Sequence, residues 1–195
     1  MPPLIYFVRH GQTDWNLQSR LQGQADTDIN ETGRAQADRN GKRLAALVED
    51  PLAFDYVASP LRRTCETMER VRAILGLPRE GYRTDPRLRE VHFGAWQGFT
   101  YAELEARNPG CTEARSRMKW HFLPPGDDAE TYEMLAGRVR PWLDEVVHPT
   151  ICVTHGGVIR AVFRWLAGVP GEDAAMLDIP HDRILRHENG RLEWF

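Results

Sequence analysis

Three short apolar runs punctuate the chain, and each of them ends in polar residues or glycine. The runs cover residues 4–8, 56–58 and 151–154. An uninterrupted run of this length, rich in β-branched and aromatic side chains, is typical of a strand that is covered on both faces. The pattern therefore predicts three buried strands.

Helical patterns follow the second and third runs. Ser59 and Pro60 are typical of an N-cap and a first helical residue, and Gly76 is typical of a helix end. Between them, apolar residues recur at the spacing of one helix face, at Leu61, Cys65, Met68, Val71 and Leu75. After the third run, the pattern predicts a helix over residues 157–166.

Two more helices are predicted, one from about Glu31 and one over residues 130–147. Strands that alternate with helices favour a three-layer α/β/α fold with a largely parallel central sheet. Near the end of the sequence, Asn189-Gly190 separates two short segments of strand character. This dipeptide is typical of a β-hairpin turn, so the chain is expected to finish in a hairpin.

The segment over residues 88–126 is less regular. Two short helical patterns, at residues 101–107 and 111–120, precede the breaker Pro124-Pro125-Gly126. We predict a single domain spanning residues 1–195, in which this segment is a lid-like excursion over one edge of the sheet.

The composition is that of an ordinary globular protein. Hydrophobic residues make up 42% and charged residues 27% of the chain, and the formal net charge is -3. A chain this close to neutrality is a poor binder of polyanions, and no apolar run approaches the roughly 18 residues of a membrane span. We therefore expect a cytoplasmic protein with neither nucleic acid nor membrane as a partner. No feature of the sequence indicates an oligomeric state.

Basic residues follow each predicted strand, and glycines follow the first and the third. Arg9-His10-Gly11 follows the first strand, Arg62 and Arg63 lie just after the second, and His155-Gly156-Gly157 follows the third. The carboxyl ends of parallel strands meet at one edge of a sheet, where helix N-termini favour anions. Guanidinium groups bind phosphate oxygens with two parallel hydrogen bonds. The sequence therefore predicts an anion site at this edge.

Four sequence blocks, which follow one another along nearly the whole chain, contain these residues. The blocks are Arg9-His10-Gly11-Gln12-Thr13-Asp14-Trp15-Asn16, Ser59-Pro60-Leu61-Arg62-Arg63-Thr64, Leu88-Arg89-Glu90-Val91-His92-Phe93-Gly94 and Val153-Thr154-His155-Gly156-Gly157-Val158-Ile159-Arg160. In this order and spacing they resemble the signatures of the histidine phosphatase, or phosphoglycerate mutase-like, superfamily. The resemblance implies that family's α/β fold and phosphoryl-transfer chemistry without a metal or cofactor.

The resemblance also implies catalytic roles for five residues. His10 matches the nucleophile, which forms a phosphohistidine, and Glu90 matches the general acid that protonates the leaving oxygen. Arg9 and Arg63 match the phosphate clamp. His155 matches a further donor, which helps most as charge builds up in the transition state.

Three more residues are expected to bind the substrate: Asn16, Gln22 and Gly156. The adjacent arginines at the second strand end require a choice, because neighbouring side chains on a helix point about 100° apart. The register of the resemblance selects Arg63 to face the phosphate, so Arg62 is expected to be solvated.

We predict a metal-independent phosphomonoester hydrolase that acts on a small phosphorylated metabolite. The segment between Glu90 and His155 is short for a glycolytic mutase, and easier access of water favours hydrolysis. A cofactor-dependent phosphoglycerate mutase is the alternative, supported by the form of the Glu90-Val91-His92-Phe93-Gly94 block. A second alternative is a non-catalytic phospho-ligand-binding protein. Asp127 and Asp128 are expected near the mouth of the site, where they would disfavour highly anionic substrates.

Two other chemistries fit the sequence less well. Cys111 and Arg117 have the C-x5-R spacing of cysteine phosphatases, but no apolar strand precedes them, and Glu113 would place a negative charge inside the anion loop. A metal site would need four residues that show no recognised ligand spacing, His10, Glu90, His92 and His155.

Overall fold

In the computed structural model, which describes residues 3–195, six strands form one mixed sheet. The first two residues of the predicted domain lie outside the described part. The strands are β1 (Ile5–Arg9), β2 (Asp55–Ala58), β3 (Arg83–Thr84), β4 (Thr150–Thr154), β5 (Ile184–Glu188) and β6 (Arg191–Trp194), and their order across the sheet is β3-β2-β4-β1-β5-β6. The pairs β3–β2, β2–β4 and β4–β1 are parallel, whereas β5 pairs antiparallel with both β1 and β6. The predicted α/β fold with a largely parallel sheet is confirmed.

Helices lie between the strands along the chain. They are α1 (Asp14–Leu17), α2 (Glu31–Leu47), α3 (Arg62–Ile74), α4 (Tyr101–Arg107), α5 (Glu113–Arg117), α6 (Tyr132–Glu145), α7 (Gly156–Leu166) and α8 (Gly171–Met176). Short 3-10 turns occupy Pro51–Ala53, Pro86–Leu88 and Gly94–Trp96. No helix among residues 3–195 combines the length and apolar character that crossing a membrane requires.

The alternation of side chains along β1 divides the core between the two faces of the sheet. Ile5 and Phe7 pack in one cluster with residues of α6 and α7, whereas Tyr6 and Val8 pack in the other with residues of α2 and α3. Because successive side chains of a strand point to opposite faces, a run that is apolar throughout must be covered on both. The central strand is therefore sandwiched between two helical layers.

The predicted β-hairpin around Asn189-Gly190 is confirmed. β5 and β6 pair antiparallel, and the intervening Asn189 and Gly190 adopt φ angles of 50° and 76°. Two consecutive positive φ angles are the requirement of the tight hairpin turn that Asn-Gly favours.

The predicted N-terminus of the helix after β2 is wrong. This helix, α3, begins at Arg62, and its N-cap is Leu61, which makes no capping hydrogen bond. Ser59 lies earlier, where its N–H donates to the carbonyl of Val153 and its carbonyl accepts from the Thr64 hydroxyl. The Ser-Pro signal is local, whereas the backbone N–H of Ser59 pairs with Val153 of the neighbouring strand β4.

The segment over residues 88–126 contains the two predicted short helices, although the second is shorter than expected. It covers only Glu113–Arg117, because Met118 leaves the helical conformation. Downstream, Trp120 is buried and stacks on Tyr132 with ring centroids 5.8 Å apart. This aromatic contact ties the segment to the N-terminus of α6.

Candidate active site

His10 directly follows the first strand, and its side chain is buried. Its backbone N–H donates to the carbonyl of Thr154, which continues the β1–β4 pairing by one residue. The ring Nδ1 lies 2.8 Å from the Gly11 carbonyl. A carbonyl can only accept a hydrogen bond, so Nδ1 carries the proton and Nε2 keeps a free lone pair in the neutral ring. Burial, followed by the charge of Arg63, lowers the pKa of His10 well below its usual value.

Glycine is required after His10 because the backbone of α2 approaches very closely. A Cβ atom on Gly11 would lie 2.3 Å from the carbonyl oxygen of Gly33, and a Cβ on Gly33 would lie 2.2 Å from the Gln12 carbonyl oxygen. The Gly11 N–H also donates to the Thr67 hydroxyl of α3. The loop that carries His10 is therefore held by two helices.

Arg9 and Arg63 are tied to the backbone through their terminal nitrogens. Arg9 donates to the Ile179 carbonyl, and Arg63 donates to the carbonyls of Ala25 and Gly23 at 2.7 and 2.8 Å. The Nε atom of each arginine is buried without a hydrogen-bond partner among the described residues. Burial lowers the pKa of both guanidiniums to about 10. Both guanidinium groups are therefore fixed in orientation, and the Nε atom of each lacks a hydrogen-bond acceptor in the described part of the chain.

His155 caps the N-terminus of α7 and lies beside the nucleophile candidate. Its ring centroid is 5.2 Å from that of His10, and its Nε2 is 2.7 Å from the Ser59 hydroxyl oxygen. Its Nδ1 is buried without a partner in the described part of the chain. Burial, with Arg63 as the next contribution, lowers the pKa of His155 well below the usual range. The neutral ring therefore has one nitrogen atom, Nδ1, that can form a hydrogen bond to a ligand.

Glu90 reaches the site through a gap that glycine leaves open. The Gly157 N–H donates to Oε2 of Glu90 at 3.1 Å, and the Val91 N–H donates to Oε1 at 2.9 Å. At the preceding residue, a Cβ atom on Gly156 would lie 3.6 Å from Nε of Arg9. Gly157 thus lets the Glu90 carboxylate approach the first turn of α7, whereas the space beside Gly156 and Arg9 would accommodate a Cβ atom.

A cavity of about 200 Å³ brings most of the predicted residues together. Its lining contains Arg9, His10, Asn16, Gln22, Arg63 and Glu90. The ring of His155 lies against the ring of His10, and Gly156 lies beside Arg9. The site residues therefore converge from β1, the second strand end, residues 88–91 and the start of α7.

Asn16 and Gln22 present their amide nitrogens to the cavity. The Asn16 side-chain oxygen accepts from the N–H and hydroxyl of Thr13, and the Gln22 oxygen accepts from the Thr27 hydroxyl at 2.7 Å. Neither amide nitrogen donates to another residue within 3–195. An amide whose oxygen is engaged offers its N–H groups to an anion.

Sequence reasoning missed four cations of the same cavity: Arg20, Arg115, Lys119 and Arg160. Arg160 ends the fourth sequence block, Arg115 and Lys119 lie in the short helical pattern at residues 111–120, and Arg20 lies in a segment without a periodic pattern. Asp127 and Asp128 are exposed and do not line the cavity. Their place near the mouth stays a prediction, and the lining of the cavity is strongly cationic.

His181 is a further neighbour of His10 that the sequence did not reveal. The two ring centroids lie 5.5 Å apart in an edge-to-face arrangement, and Nδ1 of His181 donates to the His10 carbonyl at 2.7 Å. Burial and the nearby Arg9 lower the pKa of His181 to about 4. A neutral imidazole thus holds the nucleophile's own backbone.

Arg62 lies outside the cavity. Its side chain is 64% exposed and pairs with Asp28 at 2.7 Å. One residue later in the same helix, Arg63 is completely buried. The helical separation of the two side chains therefore places only one of them at the site.

The residues of the competing sites lie elsewhere or do not form a ligand cluster. Arg117 is exposed and pairs with Glu113, and Cys111 packs against the apolar core. Within residues 3–195, no group of three or more histidine, cysteine, aspartate or glutamate side chains is arranged to hold a metal ion.

Comparisons with known proteins identify relatives of this chain. The family model of the histidine phosphatase superfamily, branch 1, matches residues 5–191. A glucosyl-3-phosphoglycerate phosphatase of Mycobacterium tuberculosis is 35% identical over 187 residues, covering 85% of this chain and 76% of that protein. A 2,3-bisphosphoglycerate-dependent phosphoglycerate mutase of Hamiltonella defensa is 30% identical over 207 residues, covering 90% and 82%.

Solved structures share the fold over almost the full length. The structure of a mycobacterial glucosyl-3-phosphoglycerate phosphatase in complex with VO3 superposes with a TM-score of 0.79 at 30% identity, covering 99% of this chain and 96% of that one. The sequence blocks, the sheet topology and the family match point the same way: this chain belongs to the histidine phosphatase superfamily, branch 1.

Proposed function

We propose that this chain is a metal-independent phosphomonoester hydrolase that acts through a phosphohistidine on His10. The observation that carries the proposal is the neutral His10 ring with its free Nε2 lone pair, which lies among buried donors that lack acceptors. A tetrahedral oxyanion would supply acceptors for Arg9 and Arg63, and also for Nδ1 of His155 in the tautomer whose Nε2 accepts from the Ser59 hydroxyl. Phosphoryl transfer asks a protein for this combination of an aligned nucleophile and fixed positive charge.

The first step moves the phosphoryl group from the substrate to the enzyme. The Nε2 lone pair of His10 forms a bond to phosphorus, and the ester P–O bond breaks. Glu90, in the role of general acid, delivers a proton to the leaving oxygen, so that the alcohol departs neutral. Nδ1 keeps its proton throughout, because the Gly11 carbonyl accepts from it.

The second step returns the enzyme to its starting state. Glu90, now a carboxylate, removes a proton from a water molecule, whose oxygen attacks phosphorus. The P–N bond breaks, its electron pair returns to Nε2, and inorganic phosphate leaves. The hydrogen bonds from Gly157 and Val91 fix the Glu90 carboxylate for both proton transfers.

The substrate class follows from the cavity. Its volume of about 200 Å³ fits a small phosphorylated metabolite, and its cationic wall favours an anion. The mycobacterial relative described above, a phosphatase by name, supports hydrolysis over transfer to a second hydroxyl group.

A panel of small phosphomonoesters, assayed for phosphate release in the presence of a chelator, tests the proposal. We expect release from at least one member, its loss in His10→Asn, and its retention in the control His148→Asn, which changes an exposed histidine. No release from any member, or release only after a metal is added, would overturn hydrolysis without metal. Isomerisation of a phosphoglycerate primed by bisphosphoglycerate, at a rate above that of hydrolysis, would replace it with mutase activity.

A further inference from the structure

The segment that carries Glu90 has no regular secondary structure of its own. After the 3-10 turn Pro86–Leu88, residues 89–93 belong to neither a helix nor a strand. Backbone N–H and C=O groups that are shielded from water need hydrogen-bond partners, and outside helices and strands these partners are often side chains. The place of the Glu90 carboxylate therefore depends on the groups that hold residues 87–92, which we call the acid segment.

Arg138, on α6, bonds two backbone carbonyls of the acid segment. Its Nη1 donates to the carbonyl of Arg87 at 2.6 Å, and its Nη2 donates to the carbonyl of Glu90 at 2.9 Å. The side-chain amide of Gln24 donates to the same Glu90 carbonyl at 3.1 Å. A guanidinium presents its donors in a rigid planar fork, so it fixes the two carbonyls relative to each other.

Glu130 pairs with Arg138 and bonds both backbone polar groups of His92. Its carboxylate accepts from Nε and Nη2 of Arg138 at 2.8 and 2.9 Å. The same carboxylate accepts from the His92 N–H at 3.0 Å, and the Glu130 N–H donates to the His92 carbonyl at 2.9 Å. Although burial opposes ionisation, the hydrogen bonds from Arg138 lower the pKa of Glu130. The two side chains therefore form a charged pair that holds both ends of the acid segment.

The pair does not line the cavity in which the substrate would react. Among the described residues, the lining includes Glu90 but neither Glu130 nor Arg138, whose side chains are only 17% and 21% exposed. Any effect of the pair on the reaction must therefore pass through Glu90. A displacement of about 1 Å at a reacting group can cost about a hundredfold in rate, so a firm hold on this backbone matters for proton transfer.

We propose that Arg138 and Glu130 are positioning residues for the general acid, because they hold the acid segment so that the Glu90 carboxylate stays at the first turn of α7. The inference rests on the proposed function, in which Glu90 protonates the leaving oxygen. It predicts a loss of activity that depends on the leaving group. An alkyl alcohol needs the proton of a general acid, whereas 4-nitrophenolate departs without one.

The test compares glycerol 3-phosphate with 4-nitrophenyl phosphate. Their kcat/KM values cover the reaction only up to departure of the leaving group, so the later attack of water, in which Glu90 also acts, is left out. Arg138→Gln is expected to lower kcat/KM for glycerol 3-phosphate by about tenfold or more, and that for 4-nitrophenyl phosphate by less than about threefold.

Arg138→Lys is the second variant, because it keeps the charge opposite Glu130 and so preserves folding, yet cannot present the planar fork. We expect the same selective loss from it. Arg140→Gln is the matched control, since Arg140 lies on the same helix and its pair with Asp144 is exposed. This control is expected to keep both activities, and thermal unfolding verifies that each variant is folded.

A double variant separates positioning from a general structural effect. Glu90→Gln alone should show the same selective loss on glycerol 3-phosphate. Adding Arg138→Gln to it should cost less than about threefold more, because a residue that acts through Glu90 then has nothing left to position. No loss on either ester, a similar loss on both esters, or a full further loss in the Glu90→Gln background would overturn the positioning role.

Hydrogen exchange of the Gly157 amide tests the same role without turnover. An N–H in the first turn of a helix has no acceptor within the helix, and this one donates to Glu90. If no phosphomonoester is hydrolysed, the proposed function fails, and this exchange, followed by NMR, decides on the positioning role alone. Exchange about tenfold faster or more in Arg138→Lys, but not in Arg140→Gln, would support it. Equal exchange rates in both variants and the unaltered protein would refute it.

Discussion

The Gly157 N–H and the Glu90 carboxylate are in direct contact, and the contact exists only because residue 157 has no side chain. The hydrogen bond to Oε2 is 3.1 Å long, and a Cβ atom on Gly157 would lie 2.1 Å from Oε1. Any larger residue must therefore push the carboxylate away from the first turn of α7. The position of the proposed general acid thus depends on a glycine in a distant sequence block.

Gly157→Ala is expected to lower kcat by about a hundredfold or more, because general acid catalysis contributes roughly 10²–10⁴-fold. The protein should stay folded, since the displaced group is a partly exposed side chain. Gly137→Ala is the control. It changes an exposed glycine of α6 with open space around it, and should keep full activity with slightly raised stability. Steady-state kinetics and thermal unfolding of both variants decide, and an active Gly157→Ala enzyme would contradict the assigned role of Glu90.

The adjacent arginines of α3 offer a matched comparison of the phosphate clamp. Arg63→Gln removes a buried guanidinium of the cavity and is expected to reduce kcat/KM by about 10²–10³-fold, the usual cost of losing one transition-state donor. Arg62→Gln removes an exposed one that pairs with Asp28, and should change kcat/KM less than threefold. Similar losses in both variants would show that α3 as a whole is perturbed and that Arg63 has no special role.

His181 is expected to position the nucleophile through the backbone. Its Nδ1 donates to the His10 carbonyl, so His181→Phe keeps a ring against His10 but removes the donor. We expect this variant to lose about tenfold in kcat with little change in KM, and His181→Asn, which retains an N–H donor, to recover most of the loss. Equal kcat values for the two variants would assign the contact to packing alone.

Stability should fall as the pH falls from about 6.5 towards 5. His10, His155 and His181 all have a pKa lowered by burial in the folded protein, to about 4 for His181. Below the usual pKa of about 6.5 the unfolded chain binds protons at these residues and the folded chain does not. The free energy of unfolding therefore decreases with falling pH, by about 1.4 kcal/mol per pH unit for each histidine.

Urea unfolding at several pH values measures this slope. His10→Asn should flatten it by about one histidine's share, about 1.4 kcal/mol per pH unit. The exposed His148→Asn serves as the control. A slope that stays the same in His10→Asn would contradict a neutral nucleophile in the folded protein.

The parts of the fold that sequence predicts are those with a strong local signal. The run over residues 4–8 makes a central strand, and Asn189-Gly190 supplies the two positive φ angles of the hairpin. β3 has only two residues, too few for any periodicity. The local pattern around Ser59 predicts an N-cap, which is wrong. The Ser59 hydroxyl instead contacts His155 at the neighbouring strand end.

The site shows the same division. Residues in the four sequence blocks could be placed, because strand ends and helix starts converge at one edge of a parallel sheet. Arg115 and Lys119 could not, because the helical pattern at residues 111–120 is too short to determine which of its cations turns inwards. His181 contacts His10 only through the tertiary fold, across a separation of 171 residues.

The most direct test of the account is to trap the phosphorylated enzyme. The protein is mixed with a phosphomonoester that it hydrolyses. The reaction is quenched within milliseconds at alkaline pH, and the protein is digested and examined by mass spectrometry. We expect a phosphate that is labile to acid and stable to alkali on Nε2 of His10, absent in His10→Asn. Continued turnover with no phosphate on His10, or with phosphate on Cys111 or His155 instead, would contradict it.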